Sequence, residues 1–255
     1  MDAASVRPCG NRALPKDNDV TGGLPPVSPL HSTRFQSSDI PRGQRQDHCS
    51  LMPARWPPLK PDTQVTTYTV GYFVGSLAKA SINRKLAHAL VGLAPSELRM
   101  REIPIGDLPL YSHDYDADYP PAGRALKDAV GAVDAVLFVT PEYNRSIPGP
   151  LKNAIDWASR PWGTNSFARK PSAIIGTSPG KIGTAVGQQH LRSILSFCNS
   201  PQMNAIEAYI QFTPGLIDDS GNVSEPSTAE FLTTYMREFH GFISRVYTVL
   251  PRVAS

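Results

Sequence analysis

The fold is decided by residues 65–76, which read VTTYTVGYFVGS. The first ten residues of this stretch are rich in β-branched and aromatic side chains, and the stretch ends at a glycine and a serine. This pattern predicts a buried β-strand followed by a turn. Ser81 is placed to cap a helix whose apolar positions recur with helical spacing up to Pro95. A strand, a turn and a helix therefore open the patterned part of the chain.

The same alternation repeats along the rest of the sequence. Further strands are predicted at 98–103, 135–140, 172–177 and 205–210, and further helices at 121–133, 150–159, 182–198 and 228–250. Strands that alternate with helices form right-handed βαβ units, which build a parallel sheet covered on both faces. Five such strands favour an α/β, flavodoxin-like three-layer sandwich with a five-stranded parallel sheet of order 2-1-3-4-5.

Residues 1–64 differ in composition from the rest of the chain. They are rich in Pro, Arg, Asp, Ser and Gly and lack sustained apolar periodicity. Such a segment cannot bury enough surface to offset its ordering entropy. We expect a flexible Pro/Arg-rich N-terminal extension at 1–64 and one flavodoxin-like domain at 65–255. A transit peptide is the alternative for residues 1–64, but the four aspartates at 17, 19, 39 and 47 disfavour it.

Composition excludes several classes of function. The formal net charge is only +3, and the basic residues are scattered, so we expect no nucleic-acid partner. No apolar run is long enough to span a membrane, and no signal-peptide pattern is visible, so we expect no membrane association. The three cysteines form neither a disulfide framework nor a metal-binding pattern. A cytoplasmic protein without a metal site is the resulting expectation.

The site should lie at one edge of the sheet. In open parallel sheets, ligands bind outside the carboxyl ends of the strands, where the strand order reverses between strands 1 and 3. The loops at 75–83, 140–149 and 177–187 follow strands 1, 3 and 4 and are expected to meet there.

The first loop is a candidate phosphate cradle. Its hydroxyls and unpaired backbone N–H groups stand at a helix N-terminus, which attracts phosphate. It matches neither the dinucleotide fingerprint nor the P-loop, so a mononucleotide is favoured. The alternative is that Ser81 only caps the helix and Ser76 only serves a turn. The candidate residues are Gly75, Ser76, Ser81, Ile82 and Asn83.

The other two loops are candidates for holding a flat ring. The second loop could present backbone amides to the pyrimidine side of a flavin, where negative charge develops on reduction, and Tyr143 could stack on the ring. The glycines of the third loop would allow a close approach. The alternatives are ordinary loop punctuation and simple flexibility. The candidate residues are Pro141, Glu142, Tyr143, Asn144, Ser146, Ser178 and Gly180.

Several segments resemble the NADPH-dependent FMN reductase family, which includes bacterial quinone, chromate and azo-dye reductases. The resemblance covers about residues 66–250 and is carried by GSLAKASINRKLA at 75–87, PEYNRSIPG at 141–149, LKNAIDW at 151–157 and SPG at 178–180. One departure is Ala78, where many members carry Arg.

The resemblance implies a function and a role for each loop. Ser76, Ser81, Ile82 and Asn83 match the FMN phosphate loop, residues 141–144 match the segment that holds the isoalloxazine ring, and Ser178 and Gly180 match the loop beside it. FMN is the implied cofactor, with NADPH or NADH as transient co-substrate and a quinone, azo compound, chromate or flavin as the small-molecule electron acceptor. A homodimer or homotetramer is implied. The flavin carries the hydride chemistry, so no dedicated catalytic side chain is expected.

A flavodoxin-type electron carrier that does not oxidise NAD(P)H is the alternative function. Such carriers are usually strongly acidic, whereas this chain has a net charge of +3. A silent flavodoxin-like binding module is the third possibility. The sequence does not fix the choice between NADH and NADPH.

Overall fold

The computed structural model describes residues 66–252, which form one five-stranded sheet and five α-helices. The predicted extension at 1–64 lies outside the described residues. Within residues 66–252, no helix has the length and apolar character that crossing a bilayer requires. The strands are β1 (Tyr68–Val74), β2 (Leu98–Glu102), β3 (Ala135–Val139), β4 (Ser172–Ser178) and β5 (Tyr209–Gln211); the helices are α1 (Ile82–Leu93), α2 (Pro121–Gly131), α3 (Gly149–Ser159), α4 (Ala185–Phe197) and α5 (Pro226–Val249).

All neighbouring strands of the sheet run parallel, in the order β2-β1-β3-β4-β5. The predicted fold class and strand order are therefore confirmed. The register places Val70 beside Ala135 and Val74 beside Val139, so the last five residues of β1 pair with the whole of β3. The two strands therefore end side by side, and the loops that follow them leave the same edge of the sheet.

The sheet is covered by helices on both faces. The side chains of β3 alternate: Leu137 belongs to the core beneath α1 and α5, and Phe138 to the core beneath α2, α3 and α4. Strands buried on both faces read as continuous apolar runs, which is why β1 and β3 were recognisable from sequence. The two cores immobilise the strand ends that carry the loops.

The predicted element boundaries are shifted by up to four residues, and two of these shifts affect the site. Helix α4 begins at Ala185 rather than near residue 182, because the chain first makes a tight turn in which the N–H of Gly183 donates to the carbonyl of Gly180 at 3.0 Å. Gly183 has a φ of +57°, a conformation that glycine adopts without strain. Strand β5 has only three residues and begins four residues later than predicted. The turn lengthens the loop between β4 and α4.

The ends of the central strands lie too close together for side chains to separate them. A Cβ on Gly176 would overlap the Thr140 carbonyl oxygen and the Thr184 hydroxyl. A Cβ on Gly75 would lie 2.8 Å from Thr140 Oγ1. Glycine at both positions lets Gly75, which follows β1, and Gly176, near the end of β4, pack directly against Thr140, which follows β3.

We predict opposite effects for two glycine-to-alanine substitutions. Gly176→Ala should lower the free energy of unfolding by about 3 kcal/mol, since backbone would have to move to relieve the overlap. Gly92→Ala should raise it by about 0.5–1 kcal/mol, because Gly92 lies in α1 and a Cβ there meets no atom within 4 Å. Urea unfolding measures both, and equal effects would contradict the close approach at Gly176.

Candidate functional site

The three loops singled out from sequence follow β1, β3 and β4, which are adjacent in the sheet. They therefore meet at its carboxyl edge. Contacts link each pair of loops. Gly75 packs on Thr140, the Asn83 side chain bonds Thr177, and the Glu142 carboxylate bonds the N–H of Gly187. The structure brings all the predicted site segments to one edge.

The loop between β1 and α1 offers unpaired donors. Two buried hydroxyls shape it: Ser76 Oγ accepts from the N–H of Ala78, and Ser81 Oγ accepts from the N–H of Arg84, both at 3.3 Å. Ser81 is thus the N-cap of α1, as the sequence predicts. Among residues 66–252, no acceptor is found for the backbone N–H groups of Ser76, Leu77 and residues 79–83. This donor set suits a phosphate group.

The side chain of Asn83 joins two loops. Its Nδ2 donates to the Thr177 carbonyl at 2.9 Å, and its Oδ1 accepts from the Thr177 N–H at 3.0 Å. Both groups are buried. Asn83 therefore has its amide oxygen and one amide N–H committed to holding the end of β4, while its backbone N–H and second amide N–H have no acceptor among residues 66–252.

The segment after β3 is a small hairpin. Tyr143 and Ser146 exchange two backbone hydrogen bonds, each of 2.9 Å. Between them, Asn144 and Arg145 have φ values of +51° and +63°, which is the pattern of a type I′ turn. The N–H groups of Tyr143 and Ser146 are therefore used within the hairpin. Those of residues 142, 144 and 145 have no acceptor in the described chain.

The carboxylate of Glu142 fixes the hairpin to helix α4. Its Oε2 accepts from the N–H of Gly187 at 2.9 Å, and its Oε1 lies 3.2 Å from Arg145 Nη1. Thr184, the N-cap residue of α4, makes no side-chain capping bond, so a carboxylate from another loop occupies this helix end. Negative charge is favourable there. Glu142 holds the site together through its side chain.

Sequence reasoning missed His190 of α4, which supports the hairpin together with Gly187, the last residue of the predicted third loop. His190 Nδ1 lies 3.2 Å from Ser146 Oγ, and a Cβ on Gly187 would lie 3.0 Å from the Ser146 carbonyl oxygen. The two residues are three apart and so share one face of the helix. That spacing was visible in the sequence, but nothing there showed which segment the face would meet.

The loop after β4 is organised by Ser178. Its hydroxyl donates to the Gly183 carbonyl at 2.6 Å and accepts from the N–H of Gly180 at 3.2 Å. Gly183 in turn packs against β5, since a Cβ there would lie 2.8 Å from the Tyr209 carbonyl carbon. Ser178 therefore closes the turn that precedes α4.

Residues 68–214 match the NADPH-dependent FMN reductase family. The chain is 48% identical over 174 residues to a 2-hydroxy-1,4-benzoquinone reductase from Burkholderia sp., an alignment that spans 68% of this chain and 95% of the relative. The chain belongs to this family. It is 46% identical over 177 residues to a quinone reductase from Pseudomonas putida, with 69% and 95% of the two chains covered.

A solved structure agrees with this assignment. The flavoenzyme FerB of Paracoccus denitrificans, an NAD(P)H:(acceptor) oxidoreductase, is 46% identical to this FMN reductase family member and superposes with a TM-score of 0.68. The match covers 70% of this chain and 98% of FerB. The family resemblance read from the sequence is confirmed, as is an FMN-containing, NAD(P)H-dependent oxidoreductase function.

The carboxyl edge of this family member fits FMN. Free N–H groups on the first loop suit a phosphate, and free N–H groups on the hairpin suit the polar edge of a ring. Each loop also contributes one exposed apolar side chain suited to a ring face: Leu77, Tyr143 and Ile182 are 52%, 51% and 47% exposed. The contacts of individual residues with FMN remain a prediction.

Neither a reactive thiol nor a metal cluster accompanies this site in the described part of the chain. Cys198 is buried, and burial raises the pKa of its thiol, which disfavours the reactive thiolate. No group of three or more potential metal ligands occurs within residues 66–252. In an FMN-containing oxidoreductase, the flavin itself carries out the hydride chemistry.

We predict that Asn83→Ala lowers FMN affinity more than Asp114→Ala. The first substitution leaves the buried N–H and carbonyl of Thr177 unpaired, so the FMN dissociation constant should rise about tenfold. Asp114 is exposed and lies in a short 3₁₀ helix after β2. Titration of the apoproteins with FMN, followed by flavin fluorescence, measures both constants. Equal constants would contradict the placement of the phosphate site.

Proposed function

We propose that this protein passes reducing equivalents from NAD(P)H, through bound FMN, to a small-molecule acceptor, with quinones as the first candidates. The proposal rests on the meeting of three loops at the carboxyl edge of the sheet, two of which offer free N–H donors. It is supported by the relatives, which are described as quinone reductases and as an NAD(P)H:(acceptor) oxidoreductase. The cytoplasm, where NAD(P)H is abundant, is the proposed compartment.

The phosphate of FMN would be held by the loop between β1 and α1. Ser76, Ser81 and the free N–H groups of residues 79–83 supply neutral donors. Lys79 is the candidate for the charge that Ala78 does not provide, because its side chain is exposed and has no hydrogen-bond or ion-pair partner within residues 66–252. Arg84 is less suitable, since its Nη1 is engaged with Glu102 Oε1 at 2.9 Å.

The isoalloxazine ring would lie between the hairpin and the loop after β4. N–H groups of residues 142, 144 and 145 would donate to its polar edge and stabilise negative charge there. Tyr143 and Ile182 would cover apolar ring surface and exclude water. FMN, when bound, supplies the hydride and electron transfer. The side chains of Glu142, His190 and Asn83 would hold these donors in place.

An anaerobic reduction experiment tests this function. The purified protein should be yellow, and NADPH or NADH should bleach it, with the faster donor defining the nicotinamide preference. A quinone should then restore the colour. A yellow protein that neither nucleotide bleaches would instead be an electron carrier. A colourless protein that does not take up added FMN would contradict both functions.

We also propose that the protein forms a homodimer or homotetramer through the face of α3 and α4. A groove of about 340 Å³ runs between these helices, lined by Lys152, Asp156, Ile194 and Phe197 among others. The large aromatic side chains beside it, Phe197 and Trp162, are 73% and 76% exposed, with ring centroids 6.3 Å apart. Paired aromatic surface of this kind is typical of interfaces.

Substitution of one exposed side chain tests this interface. Phe197→Glu should dissociate the oligomer, since it places a charge in an apolar contact. Val249→Glu is the matched control, because Val249 is 74% exposed and lies at the far end of α5. Light scattering coupled to size-exclusion chromatography gives the masses. A monomeric parent, or a Phe197→Glu variant that keeps the parent mass, would contradict the proposal.

A further inference from the structure

Arg145 occupies a backbone conformation that favours glycine. It is the second central residue of the type I′ turn, with a φ of +63°. Turns of this type strongly prefer glycine there, because a Cβ is disfavoured at positive φ. Glycine would build the same hairpin with less strain. Residues kept in such conformations cluster at functional sites, which makes the Arg145 side chain a candidate for a role in binding.

The guanidinium of Arg145 is positioned but only partly used. Its Nη1 lies 3.2 Å from Glu142 Oε1, while Glu142 Oε2 is held by the N–H of Gly187. Glu142 thus fixes the direction in which Arg145 extends. The side chain of Arg145 is 66% exposed, and its remaining N–H donors have no acceptor among residues 66–252. A planar fork with free donors is suited to an anionic oxygen.

The charges around Arg145 favour an anion. Across the three site loops, the exposed cations are Lys79, Arg145 and Lys181, and the only acid is Glu142, whose side chain is 8% exposed and already paired. Other acids near this edge lie in the segments after β2 and β5. Asp107 follows Gly106, whose backbone adjoins Leu77, and Asp219 Oδ1 is paired with Lys85 Nζ at 2.9 Å. The rim beside the hairpin is therefore basic.

We propose that Arg145 is a specificity-determining residue that binds an anionic oxygen of a substrate at the rim of the flavin site. This inference rests on the proposed function. Two substrates offer such an oxygen. A 2-hydroxyquinone is a vinylogous carboxylic acid and is ionised at neutral pH, and NADPH carries a phosphate that NADH lacks. Each half-reaction can be measured separately, so the two sources can be told apart.

The test compares ratios of kcat/KM. In the oxidative half-reaction, ionised 2-hydroxynaphthoquinone is compared with neutral 2-methylnaphthoquinone; in the reductive half-reaction, NADPH is compared with NADH. Arg145→Gln removes the charge, Arg145→Gly also removes the backbone strain, and Arg145→Lys keeps the charge. Arg169→Gln is the matched control, because Arg169 is exposed, has the same φ of +63° and precedes β4 at the opposite edge of the sheet.

Two ratios of kcat/KM are followed: ionised to neutral naphthoquinone, and NADPH to NADH. At least one of them should fall about tenfold in Arg145→Gln and Arg145→Gly, which is the loss expected for one charge-assisted hydrogen bond. Arg145→Lys should restore part of the lost preference for the anionic substrate. In the parent protein, added salt should lower the same kcat/KM ratio, because salt screens the charge of Arg145. The half-reaction affected identifies the source of the anion. Unchanged ratios in both, or an equal change in Arg169→Gln, would overturn the proposal. If the parent oxidises neither nucleotide, the proposed function itself fails instead.

Discussion

The close approach of three strand ends is the constraint on which the site depends. Gly75 and Gly176 leave no side chain between the ends of β1, β4 and Thr140, which follows β3. The loops that continue these strands start within contact distance of one another. Larger residues at either position would push the strand ends apart and separate the phosphate donors from the hairpin. The polar contacts of the site therefore depend on close packing at these two glycines.

Two polar contacts, one buried and one partly buried, then convert this proximity into a fixed arrangement. The amide of Asn83 pairs with both backbone groups of Thr177, and the carboxylate of Glu142 occupies the N-terminus of α4 at Gly187. Buried polar groups are costly when unpaired, so each contact specifies one geometry. In both cases the side chain holds a loop in place. The donors left without an acceptor on the first loop and the hairpin are largely backbone N–H groups.

This division of roles suits a flavoenzyme. A cofactor that performs its own hydride transfer needs a rigid set of donors and a shielded ring face, which backbone amides on immobilised loops provide. Arg145 differs from this scheme, because it is an exposed charge on a turn that glycine would form more easily. Binding of an anionic substrate oxygen by Arg145 would account both for its unfavourable backbone conformation and for its unpaired N–H donors.

The sequence by itself determined the fold class, the strand order and the three loops of the site, because fully buried parallel strands and helical periodicity are local patterns. It also predicted Ser81 as the N-cap of α1, which the structure confirms. Only the tertiary structure decided that the side chains of Asn83 and Glu142 hold neighbouring loops in place by hydrogen bonds. It also showed that His190 contacts Ser146 and that α4 begins after a turn at Gly183. Those roles depend on which residues meet across distant segments, and partners far apart in sequence leave no periodic signal.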